Sequence, residues 1–348
     1  MDRRKVTYNA VAGSGKTQYI IDNLNEIDRT LVITFTNNNL ESIKQRVIDK
    51  FGSIPSNILV MTTYRFLYNV CLLPFSLHTA RPKGIIFDES LFKHAKFAKR
   101  KTNKFYRYKG YVYSNKLSRL ILDANLDFIS RLNRYVDKIY IDEFQDIASD
   151  ELDLFFELAK FSGEVVMLGD YNQITYPTSR RGRTNSSVRE NIVNFEKAYI
   201  KAGFEFNKDS FSTSKRCSNT VCNFISEKLK IEMSAEDNDR ESTIKFIDNS
   251  EILNELLGDK DVPKLFYKNS TKYDCFSMNW GNSKGLTFKD VCVVLNKKTY
   301  DTFKSGQLST LAESTKRKFY VACTRSYRDL YFISEKSIPD SYRKEKGT

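Results

Sequence analysis

Residues 10–17 read AVAGSGKT, set between an apolar run at 5–10 (KVTYNA) and a helical pattern from Thr17 to Leu24. No other feature narrows the possible folds as far. Glycines on either side of Ser14 allow successive backbone N–H groups to turn inward around phosphate oxygens. Such a loop works only between a strand and a helix, which is its context here. Each residue type then has a task. Ala10, which stands in the first glycine position, is followed by Ala12, Gly13, Ser14 and Gly15, which form the cradle. Lys16 reaches the β- and γ-phosphates, and the Thr17 hydroxyl ligates Mg²⁺.

The pattern downstream supports a parallel α/β fold. Residues 31–35 (LVITF) and 58–61 (ILVM) read as buried strands, and 39–51 as a helix with Leu40, Ile43, Val47 and Ile48 on one side. A strand ending in acids is expected at 136–146, a helix at 150–160 and a strand at 164–168. A second α/β region has strands at 243–247, 263–267, 291–295 and 330–333, with a helix at 308–321. Alternation of this kind places a parallel sheet under helices on both faces. The stretch 91–118 breaks it, being dense in Lys, Arg and Tyr with almost no acid, and reads as a basic insertion. The expected division is 1–90 with 119–185 as a first domain, 91–118 as the insertion, 186–335 as a second domain and 336–348 as a frayed tail.

Lys and Arg outnumber Asp and Glu by 13 in 348 residues, with a pI near 9.2. An excess of that size points to an anionic partner, nucleic acid first and an anionic membrane surface second. The six cysteines form no CxxC pair and only two histidines accompany them, so zinc-site spacing is missing. Reduced, buried thiols in a cytoplasmic protein are expected. No apolar run reaches the length of a membrane span, and the N-terminal residues do not read as a signal peptide.

A phosphate loop needs an acid at the end of a neighbouring strand. Two segments offer one: IIFDES, with Asp88 and Glu89, and IYIDEFQD, with Asp142 and Glu143. Gln145 and Asp146 directly after the second pair, and VMLGDYNQ one helix later, favour IYIDEFQD. Asp142 then holds Mg²⁺ and Glu143 polarises the attacking water.

At this point the chain resembles the UvrD/Rep-type superfamily 1 DNA helicases. AVAGSGKT, ITFTNNN (33–39), IDEFQD, GDYNQITY (169–176), STSKRCS (212–218), NSKGLTF (282–288) and FYVACTRS (319–326) are similar to that family's motifs, in its order. The resemblance implies two RecA-like parallel-sheet domains with ATP in the cleft between them. It implies catalytic roles for Lys16, Glu143, Gln173 as γ-phosphate sensor, and Arg216 and Arg325 as arginine fingers. Gln18 and Gly285 fall at further nucleotide-binding positions. Phe35, Thr36, Asn37, Thr63, Tyr64, Arg65, Tyr176 and Ser283 fall at positions that meet single-stranded DNA, where aromatic rings stack on unpaired bases. Lys99, Arg100, Lys101, Lys104, Arg107 and Lys109 of the insertion are expected on the phosphate backbone.

On the nucleic-acid side the departures are Tyr64 for a histidine in TTYRF (62–66), Gly281 for a histidine before KGL, and Pro177 after Tyr176 where a tryptophan is common. At the nucleotide four departures gather on the base and sugar. Only nine residues precede Ala10, and none forms the adenine-reading segment. Gln18 replaces an arginine, Lys215 the base-stacking tyrosine, and Thr287 a glutamate near the ribose. Relaxed base preference is therefore expected. The interval from Arg216 to Lys284 is too short for a large second-domain insertion. The expected activity is ATP- and Mg²⁺-dependent translocation on nucleic acid, single-stranded DNA being the favoured track. The competing reading is an ATPase subunit that responds to nucleic acid or nucleotide and regulates a protein partner such as a nuclease, without unwinding. A structural nucleic-acid-binding protein with a dead ATPase ranks third, because Lys16, Glu143, Arg216 and Arg325 are all in place.

Overall fold

The computed structural model describes residues 4–78, 81–175, 184–237 and 239–344. The chain divides into two compact units. The first comprises residues Met1–Tyr8, Thr17–Gly169 and Pro177–Asn207, and the second Asn9–Lys16, Asp170–Tyr176 and Lys208–Thr348.

The sheet of the first unit contains β1 (Lys5–Asn9), β2 (Thr30–Thr34), β3 (Ile58–Thr62), β4 (Lys138–Asp142), β5 (Glu164–Gly169) and β6 (Glu205–Asn207), in the order β3-β2-β4-β5-β1-β6. The pairings of β2 with β3 and β4, of β4 with β5, and of β1 with β6 are parallel. Central strands without alternating polarity suit a sheet covered on both faces, and Leu31, Val32, Ile33, Ile139 and Ile141 are accordingly buried. Helix α1 (Lys16–Asp22) follows the glycine loop, and α2 (Asn37–Phe51) starts where the Thr36 side chain accepts from Asn39 N. Gly52 closes α2 in the left-handed region at φ +79°, where a side chain would be strained.

Residues 186–207, expected in the second domain, belong to the first. Helix α3 (Ile192–Lys201) sends Phe195 and Tyr199 against Phe144, with ring centroids 5.5 and 5.1 Å apart. Beyond it β6 pairs with β1 through Val6 and Glu205. The polar composition of 180–188 had marked the boundary too early. Aromatic burial decides it.

The insertion also begins earlier than 91. Ile85–Ile86 pairs in parallel with Tyr111–Tyr113, which pairs antiparallel with Arg107–Tyr108, giving a small three-stranded sheet. Its charges are organised around Asp123. Arg100 donates to both carboxylate oxygens at 2.7 and 3.1 Å, Tyr106 Oη donates at 2.6 Å, and Arg119 lies 3.8 Å away. These groups, Arg100 first, hold the Asp123 carboxyl down at about 2. A carboxyl depressed on folding adds stability above its unfolded value, and that stability is lost as pH falls toward 2. Asp123→Asn is expected to cost about 1 kcal/mol at pH 7, discounted for the exposure of Arg100, and nothing near pH 2. Denaturation midpoints at the two pH values check this.

The second unit has its own parallel sheet of β7 (Ile244–Phe246), β8 (Lys264–Phe266), β9 (Ser277–Asn279), β10 (Val291–Leu295) and β11 (Leu330–Ser334), ordered β7-β11-β10-β8-β9. Trp280, Phe319, Tyr320, Val293 and Phe332 pack with Val11 and Ala12 in one core, so the glycine loop is built into this unit. The expected tail at 336–348 is anchored as far as it is described. Ile338 is buried with Leu257 and Phe266, Tyr342 Oη donates to Asn254 O at 3.2 Å, and Lys344 N donates to Lys272 O at 2.9 Å. All six cysteines are free thiols. Among the described residues no helix is long and apolar enough to cross a membrane.

Candidate nucleotide site

The loop 10–17 has the backbone its glycines suggested. Gly13 and Gly15 lie at φ +74° and +86°, in the region open to residues without a side chain. A Cβ on Gly13 would also stand 2.5 Å from Arg216 Cβ. Lys16 is nearly buried, and its ammonium donates to Val11 O at 3.4 Å, folded back on its own loop. Ala10 and Ala12 are buried, and Ser14 Oγ is buried with no hydrogen-bond partner among the described residues. Gln18 is engaged away from the loop, donating to Asp22 Oδ1 at 2.8 Å and accepting from Arg46 at 3.2 Å.

In the first unit β4 delivers Asp142 beside the start of α1, and Thr17 Oγ1 donates to Asp142 Oδ2 at 3.2 Å. A hydroxyl and a carboxylate side by side form a hard oxygen pair of the kind Mg²⁺ takes when phosphates and water supply its other ligands. Glu143 follows at φ 60° and ψ 40°, left-handed for a residue with a side chain. Strain of this kind concentrates at functional positions. The Glu143 carboxylate accepts from Gln145 Nε2, and Gln145 is fully buried. Gly169, at the end of β5, makes room for this: a Cβ there would lie 2.1 Å from Gln145 Oε1 and 2.7 Å from Phe144. Gln145 served in the sequence only to distinguish one acid pair from the other. In the structure its amide is hydrogen-bonded to the Glu143 carboxylate. Asp88, from the rejected pair, caps a short helical turn by accepting from Ser90 N.

In the second unit Asp170 gathers the groups around the loop. Its carboxylate is fully buried and accepts from Gln173 Nε2 and Tyr320 Oη, both at 2.9 Å, and from Asn172 N at 2.9 Å. Burial raises its pKa, and the nearby Lys16 charge opposes that rise. The Tyr320 hydroxyl in turn accepts from Ala12 N at 2.9 Å. A single phenol thus ties the glycine loop, the GDYNQ turn and the helix α4 (Glu313–Cys323) that leads to Arg325. Arg317 of the same helix donates to Tyr171 Oη and lies over its ring, 4.4 Å from the centroid. Neither Tyr320 nor Asp170 was singled out by sequence reasoning, although both sit inside quoted motifs.

Tyr320→Phe keeps the ring but strands Ala12 N–H and one acceptor site of Asp170. Stranded buried groups cost about 1–3 kcal/mol each at most, and a midpoint loss in that range is expected on denaturation. Hydrolysis should show kcat down about tenfold with KM little changed, because the direct phosphate contacts remain.

Both expected arginine fingers meet at Thr324. Arg216 donates to Thr324 O at 3.2 Å. Arg325 is 1% exposed and donates to Val321 O at 2.8 Å, Thr324 Oγ1 at 3.1 Å and Leu286 O at 3.3 Å. Gly285 is exposed at φ +84°.

The expected nucleic-acid positions separate by burial. Arg65 and Asn37 are exposed; Phe35, Thr36 and Tyr64 are partly buried. Thr36 spends its hydroxyl as the cap of α2. Tyr64 packs edge-on against the exposed Phe87, with centroids 4.9 Å apart. Thr63 and Ser283 drop out as surface contacts: they are 2% and 0% exposed, and their hydroxyls donate to Thr34 O and Trp280 O. Tyr176 lies outside the described residues. In the insertion, Lys99, Lys101, Lys104 and Lys109 are exposed, whereas Arg100 is held by Asp123 and Arg107 is partly buried.

Among proteins of known family, the viral superfamily 1 RNA helicase core domain matches residues 114–334, well over half of the chain. The chain belongs to that family. Superfamily 1 is the level this match shares with the sequence resemblance, and the UvrD/Rep branch is finer than it reaches. No curated protein matches this superfamily 1 chain in sequence. Its fold is similar to the arterivirus nonstructural protein 10 helicase in complex with DNA, at 14% identity and a TM-score of 0.50, covering 95% of this chain and 61% of that one. The same arterivirus helicase in a second crystal structure gives 14% identity and a TM-score of 0.50 over 94% and 59%. The chain therefore spans about three fifths of these solved helicases. At that identity the likeness bears on the fold, two parallel α/β units of the RecA-like kind.

Proposed function

We propose that this chain is the motor core of an NTP-hydrolysing helicase that moves on single-stranded nucleic acid, DNA being the favoured track. The observation that carries it is the pairing of Thr17 Oγ1 with Asp142 Oδ2 at 3.2 Å, beside the glycine loop and next to a strained Glu143. Loop amides and Lys16 hold the phosphate chain, and Thr17 and Asp142 hold Mg²⁺. A Mg²⁺ ion held there would offset phosphate charge. Glu143 takes a proton from the attacking water as its oxygen bonds to the γ-phosphorus and the bond to the β–γ bridging oxygen breaks. Gln145 fixes the Glu143 carboxylate for that transfer. Gln173, steadied by Asp170, meets the γ-phosphate. Arg216 and Arg325 leave Thr324 to offset the charge that develops on the transferring group.

For the track, Phe35 and Tyr64 offer rings to unpaired bases, and the exposed lysines of the insertion offer charge to phosphates. The motif IDEFQD favours DNA through its likeness to the UvrD/Rep group, whereas the matched family is described as RNA helicases. A second reading is favoured by the compact interval between Arg216 and Lys284, which the second sheet fills with no added subdomain among its described residues. It is an NTPase that regulates a protein partner such as a nuclease. Strand displacement on tailed DNA and RNA duplexes tests between them. ATP-dependent displacement supports the helicase; hydrolysis without displacement on either duplex supports the regulatory subunit.

A further inference from the structure

The glycine loop is overlaid by residues 213–217 of the second unit. Lys215 N donates to Gly13 O at 2.9 Å, and Ser214 Oγ donates to Ala12 O at 2.8 Å. This packing lays the Lys215 side chain over Gly15: a Cβ built there would stand 3.4 Å from both Cδ and Cε of the lysine. The aliphatic stem covers the loop, and the ammonium, one bond further, is turned to a carboxylate. Its counter-ion is Glu236, at 3.5 Å, with side-chain exposures of 59% and 57% for the two partners. An exposed pair at that separation contributes roughly 0–1 kcal/mol, so the lysine is weakly held. A triphosphate on the loop presents a denser anion than one carboxylate, and lysine meets phosphate as a mobile point charge. The segment STSKRCS brings no aromatic ring to the loop, and Gln18 is committed to Asp22 and Arg46.

We propose that Lys215 is a second phosphate-binding cation of this site, released from Glu236 when nucleotide arrives, so that it acts on every nucleoside triphosphate alike through the phosphate chain. This rests on the reading of residues 10–17 as the phosphate loop.

The test uses the full chain, with KM for ATP, GTP, CTP and UTP and competitive inhibition by inorganic tripolyphosphate. Lys215→Ala should raise all four KM values in parallel by about five- to tenfold, weaken tripolyphosphate by the same factor, and leave kcat within about twofold. Lys215→Arg should restore most of the loss, and Glu236→Gln should lower KM by about two- to threefold. Unchanged KM values in Lys215→Ala, or a change confined to one base, would overturn the proposal. Both outcomes leave the hydrolase reading standing. Failure of the unsubstituted protein to hydrolyse any of the four would instead remove that reading and this one with it.

Discussion

Glu143→Gln is expected to lower kcat for NTP hydrolysis about a thousandfold or more while nucleotide binding survives. Removing a positioned general base forfeits roughly 10²–10⁴ in rate, and here a second loss adds to it. The Glu143 backbone sits at φ 60° and ψ 40°, a conformation held only because its surroundings impose it. Gln145 donates to the carboxylate from a fully buried position, and Gly169 leaves the space that Gln145 needs. A carboxamide at 143 presents either an N–H₂ toward the Gln145 amide or an oxygen that takes up no proton. Stopped-flow binding of a fluorescent nucleotide separates the two effects. Affinity should change by less than about threefold, because Lys16, Thr17 and the loop amides are untouched. Gly169→Ala should reproduce part of the kcat loss from outside the site, since its Cβ would displace Gln145.

Arg325→Ala is the second large effect, and it falls on both rate and stability. An arginine that offsets transition-state charge is worth about 10³–10⁵ in kcat. Arg325 is also 1% exposed, with its guanidinium shared among Val321 O, Leu286 O and Thr324 Oγ1. Its deletion leaves a cavity and removes donors from those acceptors, together about 2–4 kcal/mol. Arg216 supplies the control. It is only partly buried, and among the described residues its guanidinium donates to Thr324 O. Arg216→Ala should therefore lose hydrolysis with less than about 1 kcal/mol of stability. Arg325→Lys should rescue neither property, because an ammonium does not span three acceptors set in a fork. Denaturation midpoints and steady-state kinetics on the three variants read the two effects separately.

These expectations show where sequence sufficed. The glycine loop, β2, α2 and the acids ending β4 were legible because each is a local pattern: glycine spacing, an apolar run, helical periodicity, a carboxylate pair after a strand. The order of the sheets was not, since pairing β6 with β1 joins residues about two hundred positions apart and no local signal encodes it. The same holds for the boundary near 186, where Phe195 and Tyr199 choose their unit by packing on Phe144. The tail expected to fray at 336–348 is seated as far as residue 344 by the buried Ile338 and by hydrogen bonds from Tyr342 and Lys344, none of which a local pattern announces.

At the candidate site, residues proposed to meet a ligand were easier to name from sequence than residues that hold them in place. Lys16, Thr17, Asp142 and Glu143 follow from the chemistry of phosphate and metal. Gln145 bonds Glu143 two residues away from a buried position that the sequence does not reveal, and Tyr320 bonds Ala12 and Asp170 from 150 residues' separation or more. Hydroxyls were over-assigned for the opposite reason. Thr63 and Ser283 look available in a string of letters and are spent inside the core.

The measurement closest to the central claim is steady-state NTP hydrolysis without nucleic acid, then with single-stranded DNA, then with single-stranded RNA, with Lys16→Ala as the blank. The account predicts activity above the blank that rises at least about tenfold with one of the two polymers, as a motor gated by its track requires. Hydrolysis that neither polymer changes would contradict it and turn the search to a protein partner.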